Sequence, residues 1–210
     1  MAANMENIVK FTFPMAKIVT DRFHVQKLAY DAVQEMRIKY RWKAIEQENK
    51  EIALGREVKQ KYIPQIQDNG DTLKQLLARS RFLLFKAESK WTPTLRFRAE
   101  LLFARYPALE QAYHLSMQLG HIYHFVNDKG VAFTKLAQWH DRVEKAGFES
   151  FNVVVRSIQA HHLNILNYFD DRSTNASAES FNAKIRAFIS SFMGVKTVKF
   201  FLFRLANIYA

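Results

Sequence analysis

Residues 173–186 read Ser-Thr-Asn-Ala-Ser-Ala-Glu-Ser-Phe-Asn-Ala-Lys-Ile-Arg, and their pattern predicts an amphipathic helix near the carboxyl end of the chain. Thr174 or Asn175 offers a side-chain oxygen that can cap the free N–H groups at a helix start. Apolar residues then recur at steps of three and four positions: Phe181, Ile185, Phe188, Ile189 and Phe192. This spacing puts them on one face, so we expect aromatic residues to anchor the helix.

The opposite face of this helix carries three polar side chains of different chemistry. Glu179 lies two positions before Phe181, which is about 200° around the helix and away from the apolar stripe. Asn182 and Arg186 follow Glu179 at three and seven positions and share its face. Two interpretations are open: a carboxylate, an amide and a guanidinium grouped for function, or a capped amphipathic helix with an incidental surface Glu.

The composition indicates a folded protein of 210 residues that can bury a real core. Hydrophobic residues make up 49% of the chain and there are only 6 Gly and 4 Pro, which excludes a disordered or low-complexity protein. Cys is absent, so disulfides and cysteine-ligated zinc are ruled out within the chain. The sequence has neither a secretory signal pattern nor an apolar run long enough for a membrane span.

The net charge of +11 is the strongest indication that composition gives about a partner. A surplus of this size favours a polyanion, and nucleic acid is the commonest soluble one. An anionic membrane surface is the alternative, but we find no basic amphipathic helix flanked by lipid anchors. We therefore expect a nucleic-acid partner and no membrane partner.

The amino-terminal segment predicts a short strand followed by a long helix. Residues 4–13 favour a short helix that Pro14 closes, and the β-branched run at residues 16–20 predicts a buried strand. Asp21 would then lie between the carboxyl end of that strand and a helix at residues 22–54, a position where open α/β sheets bind ligands. Its carboxylate also suits a helix cap, and the two roles do not exclude each other.

The middle of the long helix combines basic and aromatic residues. They are Arg37, Lys39, Arg41 and Lys43, with Tyr40 and Trp42 between them. Arg37 and Arg41, four positions apart, share a helix face. Such a segment can hold DNA phosphates and stack on unpaired bases. The alternative is a solvated helix whose charge is balanced by Glu46, Glu48 and Glu51.

The region that follows predicts helix after helix and no convincing strand. A clear turn at residues 68–71 precedes it, and Pro93, Pro107 and Gly147 are among the residues that separate the pieces. The predicted helices are residues 72–80, 94–106, 108–125, 131–145 and 150–169.

Six histidines in this region favour packing or surface roles over metal binding, because no HExxH motif is present. They are His114, His121, His124, His140, His161 and His162. Asp170 and Asp171 form an acidic pair that could hold a divalent cation. We expect the pair instead to begin the loop leading to Glu179.

Three segments resemble parts of a known enzyme family. The pattern Thr-Asn-Ala-x-x-Glu-x-x-Asn-x-x-Ile-[Lys/Arg] at residues 174–186 resembles the segment around the last catalytic acid of insertion-sequence transposases of the DDE, RNase H-like class. The ISL-three family is the most similar. Residues 16–25 resemble its second-acid segment, and the aromatic tail at residues 194–210 resembles its closing segment. Ser180 departs from the family, which more often has Gly there.

The resemblance implies a mostly α chain that contains part of an RNase H-like α/β core, with one retained strand, and a large all-helical insertion. It assigns residues 1–54 to the second half of the catalytic core. Residues 55–170 would form the helical insertion, and residues 171–210 would supply the carboxyl-terminal helices of the core.

The resemblance also implies Mg²⁺-dependent phosphoryl transfer that cuts and joins DNA strands. Asp21 and Glu179 would be catalytic acids that approach each other and hold metal in a two-Mg²⁺ site, since Mg²⁺ prefers hard oxygen ligands. The implied DNA-binding residues are Asn182, Lys184 and Arg186 on the Glu179 helix, together with Arg37, Arg41 and Lys43 on the long helix.

The first acid of the family has no evident counterpart in this sequence. In the family it lies on a strand before the second-acid segment, whereas the only acidic residue before Asp21 here is Glu6, in a helical context. We therefore expect a truncated, split or frame-shifted transposase that is inactive alone.

One expected partner is DNA, both as transposon ends and as target. The other is a protein: either the missing amino-terminal part of the transposase or an intact copy that forms a homo-oligomer with this chain. The expected location is the bacterial cytoplasm, in association with the nucleoid. One alternative is a non-enzymatic basic helical DNA-binding protein or regulator derived from a transposase. A helical interaction scaffold is another.

Overall fold

Helices dominate the computed structural model, which describes residues 3–172 continuously and, after them, only residues 180, 183, 184, 186, 187, 190, 199, 200, 203, 204 and 207. The helices are α1 (Ala3–Thr12), α2 (Arg22–Glu57), α3 (Leu73–Arg79), α4 (Pro93–Arg105), α5 (Pro107–Phe125), α6 (Lys129–Ala146), α7 (Asn152–Ala160), α8 (His162–Leu166) and α9 (Tyr168–Asp171). Short 3₁₀ turns occur at Leu83–Phe85, Glu88–Lys90 and Glu149–Phe151. The predicted mostly α class is confirmed.

Local capping signals explain where several helices begin and end. The Thr92 side chain accepts a hydrogen bond from the Leu95 N–H at the start of α4, and Pro93 takes the first helical position. The Asp128 carboxylate caps α6 in the same way. Gly147 ends α6 with φ 66°, a left-handed conformation that residues with a side chain adopt at a cost.

The long helix α2 forms the spine of the first of two units into which the chain divides, Met1–Asp171 and Arg172–Ala210. It packs on α3, α5 and α7. Ala29 and Ala32 are buried along it, and their small side chains let the neighbouring helices approach closely. The assignment of residues 1–54 and 55–170 to a catalytic core and an insertion stays a prediction.

The core of this first unit is rich in aromatic residues from α5 to α9. Its largest fully buried side chains include Trp139, Tyr113, Tyr123, Tyr168 and Phe151. The Trp139 indole N–H donates to the Leu115 carbonyl at 2.8 Å, so the polar atom of this side chain is satisfied inside the core. Aromatic residues therefore contribute to packing between these helices, although several Phe side chains, among them Phe11, Phe23 and Phe133, are exposed.

The strand predicted at residues 16–20 is not formed, because these residues have no regular secondary structure. The Thr20 N–H instead donates to the Asn164 carbonyl at 2.9 Å. The Asn167 side-chain amide donates to the Ile18 carbonyl at 3.0 Å. The Thr20 N–H and the Ile18 carbonyl thus find their hydrogen-bond partners in the α8 region, so these two groups need no neighbouring strand. The expectation of one retained strand was wrong for the described part of the chain.

Candidate nucleic-acid and metal-binding residues

Asp21 begins α2, as the sequence predicts. Its Oδ1 accepts a hydrogen bond from the Phe23 N–H at 2.7 Å, and its own backbone is extended, with φ −60° and ψ 134°. The residue is 8% exposed. A carboxylate in this position is stabilised by the unpaired N–H groups of the first helical turn. The helix-cap role is confirmed, and the metal role stays a prediction.

The paired acids Asp170 and Asp171 end α9, so they do not begin a loop as expected. The Asp170 carboxylate lies 3.1 Å from Lys129 Nζ and 3.5 Å from Lys17 Nζ. The hydrogen bond from Lys129, together with the charges of both lysines, lowers the pKa of Asp170. Lys129 also donates to the Asn167 side chain at 2.9 Å. Asp170 of α9 therefore forms ion pairs both with Lys129 of α6 and with Lys17 in the segment before Asp21.

The predicted site residues of the carboxyl-terminal helix are only partly described. Glu179 and Asn182 lie outside the described residues, as do the five apolar residues of the predicted stripe. Lys184 and Arg186 are helical and exposed. The proximity of Asp21 and Glu179 therefore stays a prediction.

Arg37 lies inside the first unit and is only 6% exposed. Its Nε donates to Gln34 Oε1 at 2.7 Å, and its Nη1 donates to the Leu77 carbonyl at 2.9 Å. Burial lowers the pKa of Arg37, and the nearby positive charges of Arg41 and Arg81 lower it further. Because its donors are engaged in the interior, Arg37 joins α2 to the end of α3, and we leave it out of the candidate DNA surface.

Arg41 and Lys43 are exposed on α2, and neither forms an ion pair with a carboxylate in the described part of the chain. Lys39 differs, because its ammonium lies 2.8 Å from the Glu35 carboxylate on the same helix. Trp42, between the two cations, is also exposed. Cationic and aromatic groups are thus available together on one stretch of α2.

The acidic residues expected to balance this charge do so only in part. Glu48 pairs with Lys74 of α3, with 2.7 Å between the carboxylate and the ammonium, and not with Arg41 or Lys43.

Arg81 was not predicted from the sequence as a site residue. It is exposed, and its charge acts on the Arg37 guanidinium, as does that of Arg41. We use the name α2 basic surface for the exposed cations Arg41, Lys43 and Arg81; Arg41 and Arg81 both act on Arg37, and Lys43 lies about 200° around α2 from Arg41.

One group of potential metal ligands occurs within the described residues, on α6. His140, Asp141 and Glu144 offer ligand atoms that all lie within 4.8 Å of one another. His140 Nδ1 is 3.8 Å from the Glu144 carboxylate, and its Nε2 is 2.9 Å from the Gln159 amide nitrogen. Asp141 and Glu144 are exposed, as solvated acids on a helix commonly are. The His–Glu spacing of four residues is the sequence signal that would have drawn attention to this group.

Among the helices in the described ranges, none is both long enough and apolar enough to cross a membrane.

Comparison with known proteins gives a family match over nearly the whole chain. Residues 1–205 match the family model of the ISL-three type DDE transposases, which carries the description "Transposase". No curated protein and no solved structure gives a significant match. The resemblance found in three segments of the sequence therefore extends over the whole region that contains the α2 basic surface and Asp21.

Proposed function

Because the chain belongs to the ISL-three family of DDE transposases, we propose that it binds DNA and contributes carboxylates to the Mg²⁺-dependent cutting and joining of DNA strands. The family match over residues 1–205 carries this proposal. The net charge of +11 supports a polyanionic partner.

Asp21 and Glu179 are the residues that would hold Mg²⁺. Carboxylate oxygens are the hard ligands that Mg²⁺ prefers, and Asp21 is fixed at the start of a long helix by its hydrogen bond to the Phe23 N–H. When bound, Mg²⁺ stabilises negative charge on the attacking and leaving oxygens of a phosphoryl transfer. Asp21 would hold the metal from the start of a rigid helix, and Glu179 would supply the second carboxylate.

The α2 basic surface is the proposed contact for DNA phosphates. Arg41 and Arg81 both exert a positive charge on the buried Arg37, so a phosphate between them would relieve the repulsion of like charges. Trp42 offers an aromatic face beside Arg41 and Lys43 for an unpaired base. Lys184, Arg186 and Asn182 are proposed as a further set of DNA contacts on the carboxyl-terminal helix.

Titration of a labelled DNA duplex at increasing salt tests this surface. We expect the logarithm of the binding constant to fall linearly with the logarithm of salt concentration. Neutralising two phosphate contacts in the double variant Arg41→Gln, Lys43→Gln should reduce the slope by about 1.8. Lys27→Gln is the matched control, since Lys27 is on the same helix but pairs with Asp31 at 2.8 Å. Equal slopes for the two variants would remove the α2 basic surface from the proposal.

Replacement of Asp21 by Asn separates its metal role from its capping role. Asn caps helices about as well as Asp, so the melting temperature should change little. Loss of the charge should weaken Mn²⁺ binding, measured by electron paramagnetic resonance as a substitute for Mg²⁺, by about tenfold. Asp31→Asn, an exposed change on the same helix, is the control. Mn²⁺ affinity that is the same in Asp21→Asn and wild type would contradict the metal assignment.

We further propose that Asp21 takes part in strand cleavage. A nicking assay on supercoiled DNA tests this role. Any cleavage product should depend on Mg²⁺ and should be abolished by Asp21→Asn. Cleavage that persists in Asp21→Asn would disprove this part of the proposal.

The exposed cations Arg41 and Lys43, which form no ion pair with a carboxylate in the described part of the chain, also favour a second candidate function. A non-enzymatic DNA-binding regulator derived from a transposase would use the α2 basic surface and would need no carboxylate site. It would bind DNA equally well with Mg²⁺ and with a chelator, and Asp21→Asn would leave every measured property unchanged.

A further inference from the structure

A cleft of about 890 Å³ opens between α2, residues 85–90 and the carboxyl end of α5. We propose that this cleft binds an unpaired nucleotide of single-stranded DNA. The proposal rests on the proposed function, because it takes DNA as the partner, and it adds a site lined by residues other than Asp21 and the α2 basic surface. The cleft volume lies in the range of about 300–1,000 Å³ that is typical of ligand pockets.

Aromatic rings form the apolar wall of the cleft. The rings of Tyr30 and Phe85 meet edge to face, with centroids 5.2 Å apart and planes at 88°, which fixes both orientations. Phe125 stands at the rim and is 62% exposed, with its ring 4.3 Å from the His121 ring. A flat, exposed ring held by a neighbouring ring is the surface on which nucleobases stack, whatever the base.

Cationic groups also line the cleft. Lys86 and Lys90 line it and are exposed, and no ion pair joins either of them to a carboxylate in the described ranges. His121 and His124 add two imidazole rings at the end of α5. No Asp or Glu is among the described residues that line the cleft. Glu88, between the two lysines in sequence, does not line the cleft, and its carboxylate lies 3.8 Å from His114 Nδ1. The described residues that line the cleft therefore offer a ligand positive charge and no carboxylate.

The segment that carries the two lysines is anchored to the core. The hydroxyl of the buried Tyr113 donates to the Lys86 carbonyl at 2.8 Å. The Trp91 indole N–H donates to the Leu83 carbonyl at 3.1 Å. The first contact joins the segment to α5, and the second connects the two ends of residues 83–91 to each other. The two lysines therefore lie on a preformed surface, and binding costs less conformational entropy.

The combination of aromatic and cationic groups favours an unpaired nucleotide over other ligands. An acidic peptide would use the lysines but would leave the aromatic wall without a flat partner. A duplex keeps its bases stacked inside the helix, so a base reaches a concave site only when it is unpaired or flipped out. One nucleotide of a single strand supplies both a planar base for Tyr30, Phe85 and Phe125 and a phosphate for Lys86 or Lys90.

Binding of a fluorescein-labelled oligothymidine of about 12 nucleotides to the full chain tests the proposal. Phe125→Ala should weaken single-strand binding by about tenfold, which corresponds to the loss of one stacked base, and duplex binding by less than about twofold. Phe133→Ala is the matched control, because Phe133 is 57% exposed on α6, in a different groove. It should leave single-strand affinity unchanged. Both changes remove an exposed ring, so the melting temperature of each variant should stay near that of wild type.

A second pair of variants tests the phosphate contact. Lys90→Gln should reduce the salt slope for the oligothymidine by about 0.7, the value for one single-strand phosphate, whereas Lys135→Gln, an exposed change on α6, should not. Equal single-strand losses for Phe125→Ala and Phe133→Ala would overturn the cleft assignment. Tighter binding of a polyglutamate probe than of oligothymidine would overturn it as well.

The failure of this proposal can be told apart from failure of the proposed function. If duplex binding persists and depends on Arg41 while Phe125→Ala has no effect, the cleft assignment alone is wrong. If neither duplex nor single-stranded DNA binds at low salt, the DNA-binding function fails together with it.

Discussion

Replacing Asp71 by Ala is expected to lower the free energy of unfolding by about 3 kcal/mol. The Asp71 side chain is 1% exposed and contacts two guanidinium groups, Arg79 of α3 and Arg98 of α4, the latter with its Nε at 3.3 Å. Asn69 also donates to this carboxylate at 2.9 Å. Removal of one member of a buried ionic group leaves its partners without compensation. This destabilisation is at the lower end of the range that is usual when one member of a buried ion pair is removed, because the Arg79 side chain is 57% exposed and can be solvated by water.

Urea unfolding followed by circular dichroism measures this change. The melting temperature should fall by about 6–12 °C for a protein of this size. Asp68→Ala is the control, since Asp68 is exposed and belongs to the same turn. Asp71→Asn, which keeps the shape but not the charge, should be destabilised less than Asp71→Ala. If Asp68→Ala and Asp71→Ala lose the same stability, the buried ionic group is not what joins this turn to α3 and α4.

Replacing Arg37 by Met is expected to lower the free energy of unfolding by about 2 kcal/mol and to change DNA affinity by less than about twofold. The substitution leaves the buried Leu77 carbonyl and Gln34 Oε1 without the donors that Arg37 provides. Unsatisfied buried acceptors lose their hydration without compensation. Because Arg37 lies in the interior, its removal takes no direct phosphate contact from the surface.

The matched change at Arg41, one helical turn further along α2, should give the opposite result. Arg41→Gln should leave stability within about 0.5 kcal/mol, as is usual for an exposed residue, and should weaken duplex binding about fivefold near 0.1 M salt. Urea unfolding and fluorescence anisotropy of both variants measure the two properties side by side. If Arg37→Met weakens DNA binding as much as Arg41→Gln does, Arg37 has a role in recognition that its burial does not suggest.

Most helices of the first unit could be predicted because their signals are local. The helix predicted at residues 22–54 is α2, Arg22–Glu57, and the cap at Asp21 was predicted with it. Helices α4, α5 and α6 lie within two residues of their predicted bounds, since Pro at a helix start and Gly at a helix end act through their own backbone. The family was also predicted correctly from three short segments.

The single helix predicted at residues 150–169 is instead divided into α7, α8 and α9, and contacts distant in sequence explain part of this difference. Asn167, between α8 and α9, donates to the Ile18 carbonyl and accepts from Lys129. These partners come from the amino-terminal segment and from α6. Periodicity along residues 150–169 carries no information about them.

What the sequence determined by itself is most of the helices up to α6, the cap at Asp21, the basic charge and the family, since each depends on neighbouring residues or on composition. Only the tertiary structure decided that residues 16–20 pair with the α8 region and form no strand, and that Arg37 is buried while Arg41 is exposed. The physical reason is the same in both cases. A strand needs a backbone partner and a buried cation needs acceptors. Here the Asn164 carbonyl that accepts from Thr20 and the Leu77 carbonyl that accepts from Arg37 belong to residues 40 or more positions away.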